Sequence, residues 1–183
     1  MILIGLGANL AGPWGNAVQT LNTAIETLRQ DRLRVENYSS FYVSTPYGGV
    51  SQPDYVNAVV RLSGPLPPDA LMKKLHVIER SAGRRRGRRW GARVLDLDLL
   101  DWHGIVRNPS GQATGQAPGR AGGRSPGHIA LTLPHPGLAL RPFVLAPIAE
   151  IAPGWRHPLL NLSAAELLVR LKPARGGRIL RRL

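Results

Sequence analysis

The stretch Arg93-Val94-Leu95-Asp96-Leu97-Asp98-Leu99-Leu100 constrains this chain more than any other. Polar and apolar residues alternate along it with a period of two, the pattern of a half-buried β-strand. Side chains at i and i+2 of a strand project from one face. Asp96 and Asp98 therefore share a face, while Leu95, Leu97 and Leu99 turn the other way into a core. Two carboxylates at that spacing repel each other unless positive charge lies close by. A hard divalent cation is one remedy, since Mg²⁺ takes one or two carboxylates together with phosphate oxygens. Just upstream runs Gly83-Arg84-Arg85-Arg86-Gly87-Arg88-Arg89-Trp90-Gly91-Ala92-Arg93, a glycine-broken arginine segment suited to multidentate contacts with phosphate. The two together point to a site for a metal-bound polyphosphate. A solvated charged loop leading into an edge strand is the competing reading.

The remaining segments give a frame for that strand. Met1 to Leu6 reads as a buried strand closed by Gly7-Ala8-Asn9-Leu10. Leu10 stands where a G-x-G-x-x-G fingerprint needs its third glycine, so a tight turn near a ligand fits better. Val18, Leu21, Ile25 and Leu28 recur at helical spacing and predict a helix over roughly 15–30. Val35 to Val43 predicts a second strand, followed by a Gly/Pro/Ser loop from Ser44 to Pro53 long enough to carry function. Tyr55 to Leu62 alternates again: Val56, Ala58, Val60 and Leu62 face the core, Tyr55 and Asn57 the other side. One sheet face thus carries polar residues while the other meets helices.

Pro67-Pro68-Asp69 starts a second helix with Leu71, Leu75 and Ile78 inward and a stop at Gly83. Glu79, near its end, reads by default as a surface residue. Trp102 to Val106 reads as a turn and a short strand. Residues 108–127, rich in Gly, Pro, Ser, Ala and Gln, read as a flexible insertion. Phe143 to Ile151 is apolar and packs as core, and Ser163 caps a last helix with Leu167, Leu168 and Leu171 inward. The order is strand, helix, strand, strand, helix, strand: an α+β, ferredoxin-like βαββαβ core with extra C-terminal helical segments. All 183 residues fit one domain, 1–183.

Charge narrows the partners. The formal net charge of +13 comes almost wholly from arginine, lysine occurring only at Lys73, Lys74 and Lys172. Such an excess favours polyanions: nucleic acid, anionic membrane or a phosphate-rich substrate. It is concentrated in the 84–93 segment and in the tail at 172–183, which reads as a loosely ordered, solvated end. No apolar run approaches the roughly 20 residues of a membrane span. The chain has no cysteine, which is compatible with a cytoplasmic location. An RNA-binding module of ferredoxin-like form is the main alternative. Against it, aromatic residues are only 5% of the chain, and the aspartates on the sheet would repel RNA phosphates.

Several segments in concert resemble the 6-hydroxymethyl-7,8-dihydropterin pyrophosphokinase family of folate biosynthesis. They are Gly7-Ala8-Asn9-Leu10, Ser39-Ser40-Phe41-Tyr42 with Thr45-Pro46, Gln52-Pro53-Asp54-Tyr55-Val56-Asn57-Ala58, Arg89-Trp90-Gly91-Ala92-Arg93-Val94-Leu95-Asp96-Leu97-Asp98, and Leu133-Pro134-His135. The resemblance implies transfer of pyrophosphate from ATP to the pterin hydroxymethyl group, release of AMP, and two Mg²⁺ ions held by Asp96 and Asp98. It implies phosphate-binding roles for Arg84, Arg86, Arg89 and Arg93, with Trp90 shaping the loop. It implies a pterin pocket from Ser44, Thr45, Pro46, Tyr55, Asn57 and Phe143. Thr132, His135, Arg141 and Leu99 fall on the ATP side, and Glu79 in the network beside it. The partners expected are these small molecules alone, without nucleic acid or membrane, bound by a monomer.

Some features depart from the family pattern. Ala130 stands where many members carry arginine, and Arg120 or Arg124 of the insertion are candidate substitutes. The arginine segment is one residue short, which leaves the register of Arg85 and Arg86 open. No G-x-x-x-x-G-K-[ST] loop exists. The expected catalysis is by positioning and charge neutralisation, with no forced general base.

Overall fold

The computed structural model describes residues 1–30, 33–47, 51–84, 91–108, 131–171 and 176–183. The insertion after Asn108, with Arg120 and Arg124, lies outside the described residues, as do Ala130, Arg86, Arg89 and Trp90.

The strands are β1 (Ile2–Ala8), β2 (Arg34–Tyr38), β3 (Tyr42–Ser44), β4 (Tyr55–Ser63), β5 (Asp96–Trp102) and β6 (Ile179–Arg182). The helices are α1 (Ala17–Leu28), α2 (Pro68–Ser81), α3 (Pro142–Ile151) and α4 (Ala164–Arg170). The strands form one antiparallel sheet in the order β5-β1-β4-β3-β6, with β2 also beside β4. With β2 and β3 together in the place of one strand, all six elements of the βαββαβ arrangement are met in the expected order, and the fold is α+β and ferredoxin-like.

Two cores sandwich the sheet. Ile4, Leu6, Ala58, Val60, Leu97 and Leu99 pack against Leu21, Ile25 and Leu28 of α1 and Leu71, Leu75 and Ile78 of α2. Leu3, Val59 and Leu100 project to the opposite face and meet Val144, Leu145 and Ile148 of α3 and Leu167 of α4. Truncating one such side chain to alanine costs about 2–5 kcal/mol. The polar face is therefore covered by helices along part of its length, and only its remaining end stays open. A bulge in β5 sets that division. Ile4 lies opposite Leu99, but Leu3 lies opposite Asp101, so one extra residue enters. Leu100 and Asp101 then both serve the α3–α4 side, where Asp101 accepts from Trp155 Nε1 at 3.0 Å. Trp102 returns to the α1–α2 side.

Helix starts follow their local chemistry. Asn16 and Gln19 make a reciprocal capping box at α1, and Ser163 and Glu166 another at α4. Prolines open α2 and α3, and α2 stops at Ala82 before Gly83, whose φ is +92°.

Three expectations change. The single strand predicted over 35–43 is two strands, β2 and β3, broken at Ser39–Phe41. There the buried Ser39 hydroxyl accepts from Val59 N at 3.0 Å and donates to Ser40 O at 2.8 Å, so a side chain replaces a rung of the ladder. The short strand expected after Trp102 is absent: His103 and Gly104 turn with positive φ, and only an isolated bridge joins Arg107 to Leu133. The described end of the tail is exposed, as expected, but it is not loosely ordered. Its residues 179–182 form β6 on the free edge of β3, and Leu183 N donates to Phe41 O at 2.8 Å. Among the described residues no helix is long and apolar enough to cross a membrane.

Candidate active site

The open end of the polar face is a cavity of about 340 Å³ floored by β5, β1 and β4. Register explains its depth. Gly7 lies between Asp96 on β5 and Asn57 on β4, and Gly5 between Asp98 and Val59. A Cβ on Gly7 would come 3.4 Å from Asn57 Oδ1 and 3.7 Å from Tyr55 Cδ1. The two glycines therefore belong to the strand and leave space above it; the expected turn begins only after Ala8.

One side of the cavity is charged. Asp96 and Asp98 project from β5 as their spacing predicts, each about a third exposed (36% and 35%). Arg84, just past α2, reaches Asp96 Oδ1 at 2.8 Å and also donates to Glu79. Glu79 is buried, not on the surface, and its Oε1 accepts from Leu97 N at 2.8 Å. It thus holds both the start of β5 and Arg84. Arg141, before α3, donates to Asp98 Oδ2 at 3.2 Å, and His135 Nε2 stands 3.9 Å from the same atom. Gly137 N donates to His135 Nδ1, so the neutral ring carries its proton on Nε2, towards Asp98. Burial lowers the His135 pKa, against the pull of Asp98, and keeps the ring neutral near pH 7. Desolvation and the Asp98 charge raise the Asp96 pKa, and the nearby Arg84, Arg93 and Arg141 do not cancel them.

The donor set suits a hard cation: two carboxylates on one face, no thiolate, and no third His, Asp or Glu among the described residues completing a protein cage. That matches Mg²⁺, which is bound through one or two carboxylates and takes its remaining ligands from water and phosphate.

The other side is neutral. Asn57, 4% exposed, donates through Nδ2 to Ser44 Oγ at 2.9 Å and to Tyr42 O at 3.3 Å. Its amide oxygen is left to accept from a ligand. Phe143 and Tyr47 line the wall as an edge-on pair with centroids 6.2 Å apart. Tyr55 donates to Gly91 O at 3.2 Å; burial, with Asp96 nearby, pushes its pKa up and keeps it a phenol. Thr45 joins this wall. The separation, rings and amide on one side and carboxylates with cations on the other, suits a flat heterocycle beside a polyphosphate.

The description of 7,8-dihydro-6-hydroxymethylpterin-pyrophosphokinase matches the chain over residues 3–153. The chain belongs to that family. As a member it is a pyrophosphokinase of folate synthesis, and the RNA-binding alternative is not favoured. The 2-amino-4-hydroxy-6-hydroxymethyldihydropteridine pyrophosphokinase of Synechocystis is 36% identical over 91% of this chain and 73% of that one. The protein of the same description from Haemophilus influenzae is 38% identical over 81% and 79%, and that from Pseudomonas aeruginosa 36% over 86% and 83%. A solved Plasmodium falciparum HPPK-DHPS triple mutant shares the fold at a TM-score of 0.61 and 15% identity, over 92% of this chain and 42% of that one.

Within this pyrophosphokinase the structure brings together Arg84, Arg93, Asp96, Asp98, His135 and Arg141 with Ser44, Thr45, Tyr55, Asn57 and Phe143. Glu79 supports them from behind. Leu99 does not reach the cavity: its side chain lies in the α1–α2 core, and Leu100 lines the wall instead. Thr132 and Pro46 also stand off the wall; Pro46 contributes a carbonyl to Gly177 N at 3.3 Å. Sequence reasoning missed Gly5, Tyr47 and Gln52 on the wall, and Asn9 behind it. Asn9 accepts from Arg93 N at 2.7 Å and donates to Pro53 O at 2.9 Å, tying both sides together. The alternation of Gly5 and Gly7 was the available signal for the floor.

Proposed function

We propose that the cavity binds ATP and 6-hydroxymethyl-7,8-dihydropterin side by side and transfers the terminal pyrophosphoryl group between them. The hydroxymethyl oxygen attacks the β-phosphorus, the bond from that phosphorus to the α-phosphate oxygen breaks, and AMP leaves. The observation that carries this reading is the juxtaposition, across two strand-borne glycines, of an aspartate pair with an amide and aromatic pocket.

Asn57 Oδ1 accepts from the pterin's N–H edge, and Phe143 covers the ring. Arg84, Arg93 and Arg141, with Arg86 and Arg89, hold the phosphate oxygens and stabilise charge on the group in transit. Glu79 fixes the direction of Arg84. His135, neutral with its proton on Nε2, donates to a phosphate oxygen or to Asp98. Asp96 and Asp98 would hold two Mg²⁺ ions, which would supply neutralisation of phosphate charge and acidification of the attacking hydroxyl. Tyr55 supports the pterin side. The enzyme acts as a monomer in the cytoplasm and needs no nucleic acid or membrane. One domain, 1–183, carries the activity.

The test is release of AMP by the purified protein. It should require ATP, the reduced hydroxymethylpterin and Mg²⁺ together. AMP formed equally without the pterin would sink the reading.

A further inference from the structure

Residues 176–183 lie behind the pterin side of the cavity, outside the βαββαβ core and outside the 3–153 span of the family match. Their contacts there are dense. Gly177 N donates to Thr45 O at 3.1 Å, Arg178 N to Thr45 Oγ1 at 3.1 Å, and Thr45 N to Arg178 O at 2.9 Å. All donor and acceptor atoms of Thr45 are thus engaged by two neighbouring residues of this segment. Tyr47 forms a bridge with Gly176.

The segment also touches the two rings themselves. Gly177, buried with φ +73°, lies so close that a Cβ there would come 2.8 Å from Phe143 Cε1 and 3.0 Å from Tyr47 Cδ2. At Gly176, φ +98°, a Cβ would meet Pro46 O at 2.0 Å. Two adjacent glycines in the left-handed region let the backbone pass where a side chain would collide with the Pro46 carbonyl at 176 and with the two rings at 177. The far end is fastened separately. Arg182 pairs with Glu150 at 2.8 Å, and Glu150 also accepts from Ser40 N, Ser40 Oγ and Tyr42 Oη. Glu150 sits on α3, the helix that begins beside Phe143, so the segment clamps β3 to α3 at both ends.

We infer that residues 176–183 are a working part of the heterocycle pocket: Gly177 sets the spacing of Tyr47 and Phe143, and the pairing of β6 with β3 holds Thr45 at the wall. This rests on the reading of that side as the pterin pocket. Gly177 is a positioning residue, since it touches the rings and not the ligand. The consequence is selective, because the segment's hydrogen bonds and ion pair go to β3, Phe41, Thr45, Pro46 and Glu150 and not to Asp96, Asp98, Arg84 or Arg141.

The experiment is equilibrium binding of 6-hydroxymethylpterin and, separately, of a non-hydrolysable ATP analogue with Mg²⁺, to wild type, Gly177→Val and Arg182→Ala. Gly177→Val should weaken pterin binding at least tenfold and leave analogue binding within twofold. Arg182→Ala, at a side chain 60% exposed and safe for folding, should weaken pterin binding two- to threefold with the same selectivity. Should Gly177→Val fail to fold, Gly177→Ala together with Arg182→Ala carries the test. Unchanged pterin affinity in the folded variants, or equal losses for both ligands, would overturn the inference. Wild type that binds no pterin would instead overturn the assignment of the pocket.

Discussion

On the β5 side of the cavity charge holds charge: Arg84 is held by Glu79 and Asp96, and Arg141 by Asp98. On the β3–β4 side Asn57 and Ser44 hold each other by a neutral hydrogen bond, and rings make the wall. On the charged side burial and the neighbouring Asp98 raise the Asp96 pKa. The neutral side is already satisfied, with one acceptor reserved. The first is built to respond to its ligand, the second to recognise one. Substitutions should therefore separate the two sides cleanly.

The largest separation comes from the aspartates. Asp96→Asn or Asp98→Asn should cut turnover about 10²-fold or more, the size lost when a principal electrostatic group is removed. Folding stability should hold or rise, because like-charge repulsion is relieved. Rates of AMP release and thermal melts check both; more than about a tenth of wild-type turnover at saturating Mg²⁺ contradicts the metal role.

Asn57→Leu tests the other side. It removes the reserved acceptor and leaves Ser44 Oγ without its donor, so pterin affinity should fall about tenfold or more while ATP affinity stays. Parallel titrations decide it; an equal loss of both would blur the two sides into one.

Glu79→Ala lies between them, in the support. Leu97 N–H loses its acceptor inside the core and Arg84 loses its partner, a cost of about 1–3 kcal/mol in stability. Turnover should fall with little change in pterin affinity. Denaturant midpoints and kinetics measure the two effects, and an unchanged midpoint would mean that the carboxylate is not holding β5.

The smallest expected effect is a pH dependence far from the charged side. Burial pushes the Glu150 carboxyl up, but bonds from Ser40 and Tyr42 and the charge of Arg182 outweigh it and hold the pKa below 4.5. A carboxyl titrating lower when folded adds stability above its unfolded pKa and loses it as pH falls through the folded one. Glu150→Gln should thus cost about 1 kcal/mol near pH 7. Its difference from wild type should shrink below pH 4.5. A gap that is constant from pH 7 to pH 3 would remove the carboxylate from the account.

The same two sides differed in how much the amino-acid order revealed. Asp96 and Asp98 needed only the two-residue period of a strand, and the resemblance then supplied Arg84, His135 and Arg141. Tyr47 and the supporting Gly177 depend on which strands pair and on a segment about 130 residues away, and no local pattern carries that. Glu79 was read as surface because its spacing on α2 places it beside the inner stripe; only its bond to Leu97 N explains a buried carboxylate. Leu99 came to the nucleotide side only through the resemblance; the two-residue period that sets Asp96 and Asp98 on one face puts Leu99 in the core and Leu100 on the wall. The break between β2 and β3 escaped because Ser39 acts through a tertiary partner, Val59.

Gly5 and Gly7 carry one last consequence, for inhibitors. A compound resting on this floor would contact backbone there, and backbone cannot be exchanged by a point mutation. Any replacement at either glycine adds atoms: at Gly7 towards Asn57 Oδ1, at Gly5 within 3.3–3.5 Å of Leu100. The substituent that would evict the drug would crowd the natural substrate out of the same space. Resistance at the floor would then be bought with the enzyme's own affinity, so escape variants should be sought at the rim, around Tyr47 and Gln52.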